Sequence, residues 1–174
     1  MKAFLKLLDW MQGDGRRAAI FSALGSAGIL ATAYFYQYVI KLLPCALCYM
    51  ERKPHMAIIG LGLVAALVPK PKIRAGLLAV MGLAALGNAG LSLFHVGVEQ
   101  HWWTWESSCT TPHFSTNDLE AARALIFEST VVPCDKAVWW FLGISMAGWN
   151  GIISLFMAAW AVFAAWRSWG RGQT

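Results

Sequence analysis

The sequence has few charged residues. Only 14 of its 174 residues are basic and nine are acidic, so 13% carry charge, whereas soluble domains average about a quarter. Internal repeats and low-complexity tracts are absent as well. Hydrophobic residues make up 58% of the chain, and the mean hydropathy is +0.53. A soluble fold of this size cannot hide so much apolar surface, which excludes a disordered chain, a coiled coil and a typical soluble enzyme.

Long uncharged runs occupy most of the chain. Three of them, with 23, 24 and 30 residues, are long enough to span a membrane: 18–40, 75–98 and 137–166. A fourth run, 54–69, has only 16 residues and spans if its helix begins near Cys45 or Tyr49. We therefore predict an all-α polytopic membrane protein, a single domain built as a four-transmembrane-helix bundle with spans near 18–40, 49–69, 75–97 and 142–166.

The basic residues are unevenly divided between the two sides that four spans define. The N-terminal segment, the turn between spans two and three and the C-terminal tail hold nine of the 14 basic residues and two of the nine acids. That side therefore carries +7 and the other side −2, and the positive side faces the cytoplasm. We expect both termini in the cytoplasm and the loops near 41–48 and 98–137 outside. No clustered basic face for nucleic acid remains.

Two segments outside the spans are predicted to form short amphipathic helices. The first eleven residues combine Lys2 and Lys6 with apolar side chains at helical spacing, which favours an interfacial helix over a cleaved signal. In the long outer loop, the range 117–128 starts with Asn117 as a candidate N-cap and Glu120 three residues later. This second helix is expected to lie on the membrane surface.

Cysteine is scarce and confined to the outer side. The chain has four cysteines, and none lies in the three long apolar runs: Cys45, Cys48, Cys109 and Cys134. Cysteines that only fill a core would fall within those runs, so their absence there argues for chemistry. Disulfides persist in oxidising outer compartments, so two structural disulfides are an alternative.

Cys45 and Cys48 form a C-x-x-C motif at the predicted start of span two. A helix N-terminus stabilises a thiolate, and Arg52 follows Cys48 by one helical turn, where its positive charge adds to that effect. The motif therefore predicts a redox-active pair. Zinc is the competing interpretation, but 24 residues separate Cys109 from Cys134, whereas zinc sites pair their cysteines closely. We predict no metal site.

Three titratable residues lie near the outer membrane surface. Glu51 and Arg52 either extend to the headgroups or serve a function, and charges at this depth favour a function. His95 lies near the outer end of span three. It is either a structural hydrogen-bonding residue or, because span three packs near span two in a bundle, a donor to a bound carbonyl.

The motif Pro44-Cys45-Ala46-Leu47-Cys48-Tyr49-Met50-Glu51-Arg52, with a second cysteine pair between spans three and four, resembles the DsbB family of disulfide bond formation proteins. The stretches 95–100 and 141–150 are similar to the family as well. The resemblance extends from the first span to the fourth. It implies an enzyme of the bacterial inner membrane that reoxidises a DsbA-type periplasmic thioredoxin-fold protein and passes the electrons to a membrane quinone, ubiquinone or menaquinone.

The resemblance also implies a role for each cysteine. Cys48 would face the quinone, and Cys45 would be its disulfide partner. The reduced DsbA-type protein would attack Cys109, and Cys134 would pair with Cys109 and pass electrons to Cys45. All four cysteines would then be periplasmic.

The resemblance implies a quinone site that contains Arg52, His95 and Glu51 beside Cys48. Arg52 would support quinone binding and the Cys48 thiolate, and His95 would contact the quinone. Three alternatives stay open: a DsbI-like paralogue, an enzyme like vitamin K epoxide reductase with a different thiol partner, and a non-enzymatic membrane scaffold with structural disulfides.

Overall fold

The protein is described by a computed structural model that covers residues 13, 15–105, 132 and 134–171. Those residues form four helices and a two-stranded sheet: α1 Arg16–Tyr38, α2 Ala46–Leu67, α3 Pro71–Glu99, β1 Trp140–Phe141, β2 Ile144–Ser145 and α4 Met146–Arg171. The two predicted amphipathic helices, in 1–11 and 117–128, lie outside the described residues, as does Cys109.

Three of the helices are long and apolar enough to cross a membrane: α1, α3 and α4 over Met146–Gly170. α2 is not among them because Glu51, Arg52 and Lys53 follow its first turn. The predicted all-α membrane fold is confirmed. The limits of the four spans, and the crossing by α2, stay predictions.

Prolines set the short connection between α2 and α3. Val68, the C-cap of α2, is extended with ψ 124°, the conformation that the residue before a proline adopts, here before Pro69. Pro71 occupies the first turn of α3 after the N-cap Lys70, where its missing N–H is not needed. α3 therefore begins four residues before the predicted span at 75.

Arg74 stabilises the same connection between α2 and α3. Its Nε donates to the carbonyl oxygen of Ala65 at 3.2 Å, and Nη2 donates to that of Val68 at 2.6 Å. The last carbonyls of a helix have no partner within the helix and attract cations. The buried guanidinium therefore joins the end of α2 to the start of α3.

A small hairpin precedes α4. β1 pairs antiparallel with β2, and the two residues between them, Leu142 and Gly143, have positive φ of 51° and 75°, as a type I′ turn requires. Ser145 Oγ then accepts a hydrogen bond from the Gly148 N–H at 3.1 Å and caps α4. The helix consequently starts at Met146, so the helical start predicted near 142 falls within the hairpin.

The helices pack in a bundle through small residues. α1 packs on α2, α2 on α3 and α3 most extensively on α4, whereas α1 and α4 touch little. Gly62 of α2 lies against Ala19 and Ala23 of α1, and Gly82 of α3 lies against Val162 of α4. Large apolar side chains face outward, as expected where lipid surrounds the bundle: Leu24, Leu63, Leu83 and Phe156.

Candidate functional site

The C-x-x-C motif forms the N-terminus of α2. Cys45 is the N-cap, in an extended conformation, and its Sγ accepts a hydrogen bond from the Cys48 N–H at 3.4 Å. Because three residues make almost one helical turn, the Cys45 and Cys48 sulfur atoms lie on one side of the helix, 3.2 Å apart. Cys45 is buried and Cys48 is half-buried. The two thiols are close enough to exchange a proton or to form a disulfide after a small rotation.

His95 and Glu51 complete a buried cluster with Cys45. The His95 Nε2 atom is 3.5 Å from Cys45 Sγ, and the Nδ1 atom on the other side of the ring is 2.9 Å from Glu51 Oε1. α2 and α3 thus bring together three residues that the sequence separates by up to 50 positions. The arrangement connects a thiol, an imidazole and a carboxylate in one chain of polar contacts.

The polar contacts continue from Glu51 into the bundle. Asn150 Nδ2 donates to Glu51 Oε2 at 3.0 Å and to Ser92 Oγ at 2.9 Å. The His55 Nε2 atom lies 2.9 Å from Asn150 Oδ1 and 3.1 Å from Asn88 Nδ2. The His55 Nδ1 atom, on the other side of the ring, lies 3.3 Å from Ser26 Oγ. Side chains of all four helices therefore orient Glu51.

No member of this inner polar network was predicted: Ser26, His55, Asn88, Ser92, Asn150 and Ser154. The sequence does contain a signal for part of it. Asn88 and Asn150 lie inside long uncharged runs, where an amide is costly unless it is paired. An amide or imidazole in such a run therefore predicts an interior position with a hydrogen-bond partner.

Arg52 points to another side of the motif, toward α1. Its guanidinium donates to Gln37 Oε1 and lies 5.0 Å from the ring centroids of both Tyr34 and Tyr49. The Gln37 amide in turn donates to the Tyr49 hydroxyl at 3.3 Å. Cation–π contacts and one charge-assisted hydrogen bond hold the buried cation in place.

Cys134 lies beside the start of α2. It is buried in one apolar cluster with Cys45, Leu47 and Val98. Burial raises the pKa of the Cys134 thiol to about 11, although the backbone N–H groups of Leu47 and Ala46 act in the opposite direction. The structure thus places Cys134 next to Cys45, while Cys109 lies outside the described residues.

The thiol of Cys45 is protonated at neutral pH. Its hydrogen bond to Cys48 and its burial raise the pKa of Cys45 to about 12, and the contact with His95 lowers it by less. The proton that Cys45 retains points at the Cys48 sulfur. Negative charge on the pair is therefore stabilised at Cys48.

A cavity of about 540 Å³ opens beside the two thiols, between α1, α2 and α4. Cys48 and Arg52 line its outer end, and His55 and Asn150 line it deeper in the bundle. Most of the remaining wall is apolar: Ile29, Leu30, Ala33, Leu43, Trp139 and Ile153. Its size and its few polar groups suit a flat apolar molecule with polar substituents.

Comparisons with known proteins match the chain to a family of disulfide bond formation proteins. The profile of the family described as "Disulfide bond formation protein DsbB" matches residues 15–164. A disulfide bond formation protein B of Albidiferax ferrireducens is 28% identical and covers 95% of both chains. One of Polaromonas naphthalenivorans is 32% identical over 84% of this chain and 86% of its own. One of Escherichia coli O1:K1 / APEC is 24% identical over 83% and 81%.

Proposed function

Because the chain belongs to the DsbB family of disulfide bond formation proteins, we propose that it reoxidises a DsbA-type thioredoxin-fold protein and passes the electrons to a membrane quinone, ubiquinone or menaquinone. The observation that supports this most is the pair of adjacent thiols, Cys45 and Cys48, at the outer end of an apolar cavity in a membrane bundle. In the net reaction the partner dithiol loses two electrons and two protons, and the quinone takes up both and leaves as the quinol.

The residues around the cavity fit a quinone. The volume of about 540 Å³ lies in the range of small-molecule sites, and the lining is mostly apolar. Arg52 lines the end next to Cys48 and offers a fixed cation to a carbonyl oxygen on which negative charge develops. Cys48, Arg52, His95 and Glu51 are the residues that we assign to the quinone site.

His95 is the base that we assign to Cys45. When Cys45 and Cys48 form a disulfide, two electrons leave the sulfur atoms and the Cys45 proton has to leave as well. The Nε2 atom of His95, 3.5 Å away, can accept that proton, and the Glu51 carboxylate at Nδ1 stabilises the resulting imidazolium. The same pair of groups can later release the proton toward the cavity, which both of them line.

Cys134 is the residue that we assign to electron transfer from the outer loop. Its thiolate would attack Cys45 in the Cys45–Cys48 disulfide, which releases Cys48 as a thiolate. Cys109 would then attack Cys134, which releases Cys45 and forms the Cys109–Cys134 disulfide for the partner protein. The packing of Cys134 against Cys45 supports this order.

A strong oxidant is needed to drive these thiol–disulfide exchange steps toward oxidation of the partner. DsbA has a known potential of about −120 mV, whereas stable structural disulfides lie below about −300 mV. An ordinary loop disulfide would therefore face a gap of roughly 180 mV, about 8 kcal/mol for two electrons. Coupling to a quinone supplies the missing driving force.

Single Cys→Ser variants in lipid nanodiscs test the proposal. With reduced DsbA and quinone supplied, we expect Cys48→Ser to abolish both quinone reduction and DsbA oxidation. Met50→Ala serves as the control because Met50 lies in the same turn with an exposed side chain. Full activity of Cys48→Ser would contradict the proposal, and cysteines that stay oxidised and inert under mild dithiothreitol would favour a scaffold.

The identity of the thiol partner is tested separately. In a Cys134→Ser variant, the lone Cys109 thiolate can attack the disulfide of the oxidised partner, whose second cysteine leaves as a thiolate. We expect the resulting mixed disulfide to accumulate because no Cys134 is present to displace the partner from Cys109. Mass spectrometry of that adduct identifies the partner. A DsbA-type protein supports the proposal, whereas another thiol protein would favour a DsbI-like enzyme or one like vitamin K epoxide reductase.

A further inference from the structure

We propose that the reduced form of this site binds a thiophilic divalent metal ion, of the class of Zn²⁺, through Cys45 Sγ, Cys48 Sγ and His95 Nε2. These three atoms all lie within 4.8 Å of one another. Two thiolates and one imidazole are the ligand types that zinc, cadmium and cobalt prefer at protein sites. The cluster is largely shielded from water, which strengthens metal binding by charged ligands.

Two of the three distances between ligand atoms are close to those of a tetrahedral site, and the third, between Cys48 Sγ and His95 Nε2, is at most 4.8 Å. Bond lengths of about 2.3 Å to sulfur and about 2.05 Å to nitrogen place a sulfur and a nitrogen ligand about 3.6 Å apart. Cys45 Sγ and His95 Nε2 are 3.5 Å apart. Two sulfur ligands should lie about 3.8 Å apart, and the observed separation is 3.2 Å. A small rotation of the half-buried Cys48 side chain supplies that difference.

The surroundings of His95 are those of a metal-binding histidine. In such histidines, one ring nitrogen donates a hydrogen bond to a carboxylate and therefore keeps its proton. The other ring nitrogen then has a lone pair available for the metal. Glu51 Oε1 takes this role at Nδ1, at 2.9 Å, and Asn150 orients the second Glu51 oxygen. A neutral His95 ring in this orientation presents the lone pair of Nε2 on the side of Cys45 Sγ, 3.5 Å away, and a metal ion takes the place of a proton there.

Glu99 lies where its carboxylate can hold a water molecule as the fourth ligand. Its Oε1 lies 3.9 Å from His95 Nε2, and its side chain is only 5% exposed. The other oxygen, Oε2, is buried without a hydrogen-bond partner among the described residues. An unsatisfied buried carboxylate oxygen is costly, and a hydrogen bond from a metal-bound water molecule would satisfy it.

Metal binding and disulfide formation exclude each other. Both use the same sulfur electron pairs, so the metal binds only the reduced cysteines and holds them reduced. Binding itself is independent of the proposed function. Inhibition of turnover by the metal rests on that function, so metal binding itself is the quantity to measure.

Cobalt titration of the reduced protein tests the proposal. The full chain carries Cys109→Ser and Cys134→Ser so that only Cys45 and Cys48 can supply thiolates, and Co²⁺ is added without oxygen. We expect one equivalent of Co²⁺ to give thiolate charge-transfer bands and tetrahedral ligand-field bands, which Zn²⁺ abolishes. The oxidised protein should give none. Absence of these bands in the reduced protein would overturn the proposal.

Substitutions of the proposed metal-binding residues test where the ion binds. His95→Gln should weaken Co²⁺ binding more than tenfold, and Glu51→Gln about tenfold. His101→Gln is the matched control because His101 is exposed just beyond the end of α3. Equal affinities in His95→Gln and His101→Gln would contradict the site. Should His95→Gln misfold, cadmium NMR of the protein with His95 intact decides, because two sulfur ligands support the proposal and any other number refutes it.

Discussion

At the scale of single residues, Cys45 and Cys48 have different surroundings although they are one helical turn apart. Cys45 is enclosed by His95 and Cys134, and its thiol keeps its proton because its pKa is raised to about 12. Cys48 is half-buried and lines the cavity. This asymmetry supports Cys48 as the thiolate that faces the oxidant and Cys45 as the thiol that exchanges with Cys134.

The rate at which Cys134 reacts with an alkylating reagent should rise with pH over a more alkaline range than for an exposed cysteine. Burial raises its pKa from 9.0 to about 11, so the folded protein holds the thiol proton more tightly than an exposed cysteine does. Two pKa units reduce the thiolate fraction about a hundredfold, and the higher nucleophilicity of the more basic thiolate recovers about tenfold. We therefore expect alkylation near neutral pH to be about tenfold slower than for an exposed thiol.

The measurement is the pH profile of iodoacetamide labelling in a variant whose other three cysteines are serine. Steric shielding changes the rate at every pH but leaves the midpoint of the profile unchanged. The midpoint should lie well above 9.0, and unfolding in denaturant should return it toward that value. A midpoint at or below 9.0 in the folded protein would contradict the assignment of Cys134 to a buried position.

Arg52 should determine the affinity for quinone. Removal of the guanidinium in Arg52→Ala takes away a charge-assisted donor, worth about 1.5–3 kcal/mol, so the KM for quinone should rise tenfold or more. Arg52→Lys should restore only part of the affinity because an ammonium group cannot stack in the same way near Tyr34 and Tyr49.

Steady-state kinetics in nanodiscs with a defined quinone content measure this effect. The neighbouring cation provides the control, since Lys53 is exposed and Lys53→Ala should leave the KM unchanged. If Arg52→Ala and Lys53→Ala behave alike, Arg52 has no part in the quinone site.

At the scale of elements, small residues decide how closely the helices approach. Without a hydrophobic driving force between helices in lipid, association depends on close packing. A side chain on Gly62 would place its Cβ 2.9 Å from the Ala19 carbonyl oxygen and the Ala23 Cβ. The contact between α1 and α2, which brings Arg52 to its partners on α1, therefore depends on the absence of a side chain at this position.

Gly62→Ala should therefore destabilise the protein by about 1–3 kcal/mol, because the added methyl group meets backbone as well as side-chain atoms. Gly60→Ala is the matched control two residues earlier, where an added Cβ meets nothing within 4 Å. That variant should be neutral or stabilise by up to about 1 kcal/mol through helix propensity. Reversible unfolding in mixed micelles measures both, and equal stabilities would contradict the packing.

Most of the helical architecture could be predicted from the sequence, but the ends of the helices less well. Uncharged runs of about 20 residues indicate helices in a membrane because no other single segment satisfies its backbone there. The hairpin before α4 was missed because β1 and β2 have two residues each, too few for any alternation to be visible. Its one local signal is Gly143, which permits the positive φ of the turn.

At the scale of the whole molecule, the site exists because four helices converge on it. α2 supplies the thiols and Glu51, α3 supplies His95, α4 supplies Asn150, and α1 holds Arg52 through Gln37. The slight contact between α1 and α4 leaves the cavity between them. A tightly closed bundle would hold the same residues but leave no space for a substrate beside the thiols.

The orientation expected from the distribution of charge predicts a labelling pattern. In a chain whose four cysteines are serine, Lys41→Cys introduces an exposed thiol in the loop before α2, and Lys72→Cys introduces one in the first turn of α3. A membrane-impermeant maleimide should label Lys41→Cys in intact spheroplasts and Lys72→Cys only after lysis, because positively charged segments stay in the cytoplasm. The reverse pattern would refute the orientation.

The sequence by itself determined the class of the protein and the chemical identity of its reactive groups. Apolar runs, the distribution of charge and the C-x-x-C motif are local properties, and each can be recognised along a single chain. The tertiary structure decided which groups meet. His95 contacts both Cys45 and Glu51 only in the folded bundle, and Cys134 packs against Cys45 there. The polar side chains of His55, Asn88 and Asn150 likewise meet only inside the bundle. These contacts depend on the relative rotation and depth of separate helices, which side-chain packing across the whole bundle sets and no single stretch of sequence encodes.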